Sequence, residues 1–533
     1  MPARPPLPST AAVAPPPRDR RAGSVRTALS PGAPPAEVRR QVQAGEGGAG
    51  DRAGADFRQP GHDREAYGSL VDNPFRRPAD TPLSTFSIDV DTASYSNVRR
   101  MLRQGRRVPP DAVRIEELIN YFDYAYEPPS GDEPFSVNVE TGGCPWEPAH
   151  RLVRIGLRGQ DVDLDMRPAT SLVFLIDVSG SMNQANKLPL LKESLRLLID
   201  RLNADDRIGM VVYAGAAGVV LPPTYCDEKQ TILDALDRLS AGGSTNGGEG
   251  IELAYRLAAE HFIEGGVNRV ILCTDGDFNV GVSSQGDLDR LIEEKRTSGV
   301  FLSILGFGHG NWQDDRMETL SNKGNGNFAY IDSLREAKKV LVREMGGTLV
   351  TIAKDVKVQV EFNPAKVAAY RLIGYANRIL AAEDFNDDTK DAGEIGAGHT
   401  VTALYEIVPP GAPLATGSVD PLKYQKAAAA TAEAASGELM TVKLRAKAPD
   451  GDVSKLIEHP VVDRDAPLAQ TTSDFRFAAA VAEWGMLLRG SEYRAGATYE
   501  QVLDLASPGL ADDPHGDRAE FLDLVRRAQS VQR

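Results

Sequence analysis

The stretch Leu172-Val173-Phe174-Leu175-Ile176-Asp177-Val178-Ser179-Gly180-Ser181 decides how this chain is read. Five consecutive apolar residues suit a strand buried on both faces. At its carboxyl end, one carboxylate and two hydroxyls leave on a Gly-containing loop. All three are hard oxygen donors, which suit Mg²⁺ better than a metal that seeks thiolate or imidazole. Ligand sites in open α/β sheets lie at the carboxyl ends of strands. Two further loops offer matching donors. Thr245 lies in the Gly-rich stretch Gly242–Gly248, and Asp275 ends the apolar run that starts at Arg269.

On either side of this stretch, residues 168–346 alternate short apolar segments with amphipathic ones. Strands are expected at 172–178, 208–214, 269–274, 301–307 and 327–331. Helices are expected at 188–202, 229–239, 248–261, 288–298, 313–321 and 333–345. This alternation predicts right-handed crossovers and a mostly parallel, doubly wound, Rossmann-like α/β sheet. Residues 134–160 read as two strands with a turn at Thr141–Pro145, and residues 349–450 return to strands. A lone hairpin is marginal in water. The two sets are therefore expected to pair into one antiparallel β-sandwich, with the α/β domain inserted between Gly159 and Leu349. Residues 62–133 read as helical, one helix starting at Ser94 or Asn97 and a second opening at Pro109-Pro110-Asp111. Residues 470–533 also read as helical. Residues 1–61, rich in Pro, Ala, Gly and Arg, carry too little apolar surface to offset their ordering entropy and are expected to be a disordered tail.

The chain has 533 residues and a formal net charge of −15, with 41% hydrophobic content. An acidic balance argues against nucleic acid as partner, because that needs clustered Lys and Arg. Three cysteines, Cys144, Cys226 and Cys273, form no CxxC pair and cannot close a disulfide framework. Cys273 lies inside an apolar strand and reads as a small core residue. No apolar run reaches the roughly 18 residues that span a bilayer. The amino terminus shows no apolar core of a secretory signal, which leaves open a cytosolic protein or a signal absent from this chain.

As a set, Asp177-x-Ser179-x-Ser181 followed in order by Thr245 and Asp275 resembles the metal-ion-dependent adhesion site of von Willebrand factor A (VWA) domains. Residues 168–346 resemble a VWA domain throughout. Thr85–Arg99, Arg114–Phe122 and Ala382–Glu394 are similar to stretches of YfbK-type bacterial VWA proteins, and the likeness runs from about residue 62 to the end. The resemblance implies that Ser179, Ser181 and Thr245 offer hydroxyls to Mg²⁺, with Mn²⁺ the alternative, while Asp177 and Asp275 neutralise its charge. One coordination position would stay open for an acidic side chain of a protein partner. It further implies a non-enzymatic adhesion or scaffold module, or alternatively a regulatory subunit of a membrane or ATPase complex. Many such proteins look like cell-envelope proteins.

Plainer readings compete. A helix N-cap also prefers Asp and Ser, but a cap needs one acceptor and this loop supplies three oxygen donors. Asp89-Val-Asp91-Thr92 superficially matches an aspartate-nucleophile phosphatase. That chemistry needs a downstream Lys, and the first Lys in the chain is Lys187, already inside the α/β domain. Asp384–Asp391 is dense in carboxylates but lacks the Gly and Glu of a calcium loop, and reads as a solvated acidic loop. Gly306-Phe-Gly308 lacks the third Gly of a dinucleotide fingerprint.

Overall fold

The computed structural model describes residues 67–163, 166–243, 247–276, 285–308, 314–344, 347, 349–390, 392–413 and 430–532. The expected disordered tail at 1–61 lies outside the described residues.

The described chain opens with strand β1 (Leu83–Ser87) and helices α1 (Ala93–Arg103) and α2 (Ile115–Asn120). The helix expected from Pro109 is broken. Pro110–Ala112 makes only a 3₁₀ turn, and Val113 and Arg114 are extended. Ser94 on α1 holds the break open. Its hydroxyl donates to the Ala112 carbonyl at 2.8 Å and accepts the Arg114 N–H at 3.0 Å. Strands β2 (Phe135–Gly143) and β3 (Arg151–Gly159) then form a hairpin. The expected turn at Thr141 lies within β2. Gly142 is there for close approach, because a Cβ would run into Thr471 and Phe475.

The α/β unit follows. Its strands are β4 (Thr170–Asp177), β5 (Arg207–Tyr213), β6 (Ala217–Tyr225), β7 (Val267–Thr274), β8 (Phe301–Phe307) and β9 (Phe328–Ile331). Among the described residues they order as β6-β5-β4-β7-β8-β9, all parallel except β6. Helices α3 (Leu188–Ile199), α4 (Lys229–Arg238), α5 (Gly248–Glu260), α6 (Gln285–Arg296), α7 (Asp314–Lys323) and α8 (Leu334–Lys338) connect them. Two apolar cores form, one containing Phe174, Leu195 and Ile331, the other Leu175, Ala254 and Ile304. This is the doubly wound sheet expected from the sequence. Strand β6 was missed because it holds Pro222 and Pro223, which only an edge strand tolerates. The last helix is also shorter than expected. After α8 the backbone widens into a π turn at Lys339–Arg343. There, buried Lys339 lies 4.7 Å from the centre of the Tyr121 ring and pairs with Glu344.

The chain re-enters the β layers at β10 (Thr351–Phe362). It continues through β11 (Ala369–Ile373), β12 (Ile379–Leu380), β13 (Gly393–Gly396), β14 (Thr400–Val408), β15 (Met440–Lys447) and β16 (Lys455–Val461). One sheet runs β12-β1-β10-β15-β16, with β13 also on β10, and the other runs β11-β14-β3-β2. Ile155 on β3 faces Ala403 on β14, so the hairpin before the α/β unit pairs with a strand after it. Side chains of both sheets, among them Phe86, Ile155, Val358 and Tyr405, share one core. Strand β1 belongs to this sandwich although it lies in the stretch read as helical.

Helices α9 (Ser473–Arg489), α10 (Tyr499–Ala506) and α11 (Asp517–Val531) complete the fold. The Thr472 hydroxyl accepts the Phe475 N–H to start α9, and Gly490 ends it with φ +65°. These helices close on α1 and α2 around Tyr95, Phe122, Phe477, Trp484 and Phe521. Arg99 on α1 ties this layer to the α/β unit. It is fully buried and pairs with Asp332, with Glu336 of α8 at 2.8 Å and with Glu520 of α11 at 3.3 Å.

Glu483 on α9 has a consequence for stability. It is fully buried. One oxygen accepts the Thr498 N–H at 3.0 Å, and the other has no hydrogen-bond partner among the described residues. Burial pushes its carboxyl up to about 8, with the Thr498 N–H pulling back. The native state therefore keeps a proton that the unfolded chain releases near pH 4.5. The stability this contributes is full below pH 4.5 and is lost as pH rises toward 8. Glu483→Gln keeps the acceptor without the charge. It should remove this loss, worth roughly 3–5 kcal/mol across that window. Thermal melts of both proteins from pH 5 to 8 check this; parallel pH profiles would contradict it.

Candidate metal centre

Three strand ends meet at the carboxyl edge of the α/β sheet. β4 runs between β5 and β7, with Asp177 opposite Tyr213 and Ile176 opposite Cys273. That register sets Thr274 and Asp275 beside Asp177. Asp177, Tyr213, Thr274 and Asp275 are all buried. The loop after β4 folds back on its own strand end, because Asp177 Oδ1 accepts the Ser179 N–H at 2.8 Å. This turn sets the Ser179 and Ser181 hydroxyl oxygens 3.0 Å apart. Ser179 is buried and Ser181 exposed, so the pair spans the rim of the sheet.

Backbone bonds draw the third loop in. Gly180 N–H donates to the Gly243 carbonyl at 3.1 Å, and Gly242 N–H donates to the Val178 carbonyl at 2.7 Å. Thr245 itself lies outside the described residues. Of the five residues singled out in the sequence, the structure brings together Asp177, Ser179, Ser181 and Asp275.

The site is short of positive charge around Asp177. Burial pushes its carboxyl up to about 6, Ser179 and Tyr213 pull back, and the neighbouring Asp275 carboxylate pushes it further up. Asp177 Oδ2 is buried and takes no hydrogen bond of good geometry among the described residues. A buried carboxylate oxygen without a well-formed hydrogen bond among the described residues, beside two hydroxyls and a second carboxylate, fits a hard divalent cation. Among the described residues no group of three His, Cys, Asp or Glu side chains could hold a metal. Half of this donor set is hydroxyl.

Two residues of the site carried no sequence signal. Lys187, at the start of α3, reaches across to Asp275 with Nζ 2.8 Å from Oδ2. Tyr213 closes β5 like any aromatic strand residue, yet its hydroxyl lies against Asp177 and Thr274. Neither periodicity nor spacing marks a buried cation or phenol.

The other carboxylates have structural partners. Arg378 pairs with Asp89 at 2.9 Å and with Glu318 of α7 at 2.6 Å, and Asp91 accepts the Phe328 N–H at 2.8 Å. They join the sandwich to the α/β unit. In the acidic loop, the Asp387 and Asp388 carbonyls accept from Lys357 and Lys447, and the Asp388 carboxylate accepts the Ser454 N–H at 3.2 Å. Asp391 lies outside the described residues. Cys273 is buried in β7, as its sequence context implied.

The family model described as von Willebrand factor type A domain matches residues 171–342, and that described as von Willebrand factor matches residues 61–154. The model for the C-terminal part of YfbK matches residues 347–531. YfbK of Escherichia coli K12 is 44% identical over 472 residues, which span 87% of this chain and 81% of that protein. The chain belongs to the YfbK family. The protein sll0103 of Synechocystis is 30% identical over 192 residues, 36% of this chain and 44% of that protein. A solved von Willebrand factor type A structure from Catenulispora acidiphila is 17% identical, with TM-score 0.39, and covers 74% of this chain and 89% of that one. This YfbK-family chain thus carries a VWA domain, a module that generally mediates protein interaction. Among its described residues, no helix is long and apolar enough to cross a membrane.

Proposed function

We propose that this chain is a Mg²⁺-dependent protein-binding module whose VWA domain captures an acidic side chain of a partner. Ser179, Ser181 and Thr245 would offer hydroxyl oxygens to the ion, and Asp177 and Asp275 would neutralise it. When bound, Mg²⁺, or Mn²⁺ in its place, supplies a hard positive centre for a carboxylate oxygen. The chain's own residues do the rest. The Ser179 N–H fixes the Asp177 carboxylate, and the backbone bonds from Gly180 and Gly242 hold the loops together. The observation that carries the reading is the buried Asp177 Oδ2, which takes no hydrogen bond of good geometry among the described residues, beside two hydroxyls 3.0 Å apart.

Capture tests it. The immobilised full chain, incubated with extract of its native cells, should retain a protein in Mg²⁺ and release it on chelation. Asp177→Ala should retain none. Capture that is indifferent to chelator and to Asp177→Ala would exclude the metal from the interaction.

A further inference from the structure

Beside the five residues assigned to the ion, two of them carboxylates, stands a third charged group, Lys187. It is 2% exposed and its partner Asp275 is 1% exposed, so the pair is sealed from water. The ammonium meets Asp275, and the backbone and stem of Lys187 are fixed separately. Lys187 N–H donates to Gln184 at 3.0 Å, and its carbonyl accepts the Leu191 N–H at 2.8 Å, which fixes the start of α3. The side-chain stem crosses Gly308 at the end of β8. Gly308 has φ +84°, and a Cβ there would overlap the Lys187 stem. The Gly308 carbonyl is anchored in turn by the Tyr330 hydroxyl. The start of α3 and the end of β8 are therefore shaped around one buried lysine side chain.

We propose that Lys187 sets the charge of the metal centre: it neutralises Asp275, so the site holds Mg²⁺ more loosely but presents the ion with an unmet positive charge for a partner's carboxylate. This rests on the metal-binding reading above. The charge count carries it. Two carboxylates alone would cancel a divalent ion and leave little to attract an acidic ligand. With the ammonium included, the loaded centre keeps one net positive charge. At separations of a few ångströms inside a buried site, one unit charge has a large effect on ion affinity. Lys187 is thus a positioning and tuning residue, and would act on the ion through Asp275.

Calorimetric titration of MgCl₂ into the full-length, chelator-stripped protein tests this, with Lys187→Met and Lys187→Gln beside the unsubstituted chain. Methionine keeps the stem over Gly308 without charge. Glutamine also keeps a donor for Asp275, which guards against loss of the fold. Both variants should bind Mg²⁺ at least tenfold more tightly. Acetate in place of chloride should tighten Mg²⁺ binding by the unsubstituted chain and leave the variants unchanged. A purely structural ion pair would lower thermal stability in the variants without tightening Mg²⁺ binding. Unchanged or weaker Mg²⁺ affinity in the variants, with binding intact in the unsubstituted chain, therefore overturns the role of Lys187 alone. No binding by any of the three overturns both this role and the metal-binding reading.

Discussion

Replacing Arg99 by methionine should destabilise the chain by roughly 3–5 kcal/mol, the usual result of breaking a buried ion pair from one side. Arg99 is fully buried, and its guanidinium meets Asp332 and Glu336 of the α/β unit and Glu520 of the carboxyl-terminal helices. The methionine would fill much of the volume but leave three carboxylates facing one another. Glu336 already has its carboxyl raised, by burial first, with Arg99 pulling it back down. Without Arg99 it would rise further and take up a proton on folding. A raised folded-state value means stability that is lost as pH rises, so the deficit of Arg99→Met should grow from acidic to neutral pH. Adding Glu336→Gln should recover part of it. Denaturant melts of the two single variants and the double variant measure this. Additive losses would show that Arg99 and Glu336 do not act as a pair.

The second large effect concerns the metal centre. In excess chelator, Ser179→Ala with Ser181→Ala should melt within about 1 kcal/mol of the unsubstituted chain, since one hydroxyl is exposed and the other serves only this loop. Mg²⁺ should separate them. An ion that binds only the folded state stabilises by mass action, about 2.7 kcal/mol at a hundredfold excess over Kd. The double variant should lose this increment entirely. A Mg²⁺-dependent rise in melting temperature that survives both substitutions would place the ion elsewhere.

Much of the fold could be read ahead because its signals are strong. The buried parallel strands β4, β7 and β8 are apolar runs, and the donor loops follow directly on two of them. The return of the chain from β3 to β14 was inferred from the instability of a lone hairpin, which is an argument about energy and not about pattern. The features that escaped have local causes. β1 and β12 are short, β6 carries two prolines at an edge, and β2 runs through glycines that mimic a turn but serve close packing. The break between the 3₁₀ turn at Pro110–Ala112 and α2 is held by one serine hydroxyl, and the π turn depends on where a buried lysine finds its partners. Lys187 escaped for the same reason. Its role exists only once Gly308 and Asp275 have been folded against it.

The most direct measurement of the central claim is anomalous diffraction from crystals of the full chain grown with Mn²⁺. The account predicts an anomalous peak in contact with the Ser179 and Ser181 hydroxyls, on the side of Asp177 Oδ2, and close to Asp275. A map with no peak there, or with Mn²⁺ only among the carboxylates of the loop at 384–391, would contradict it.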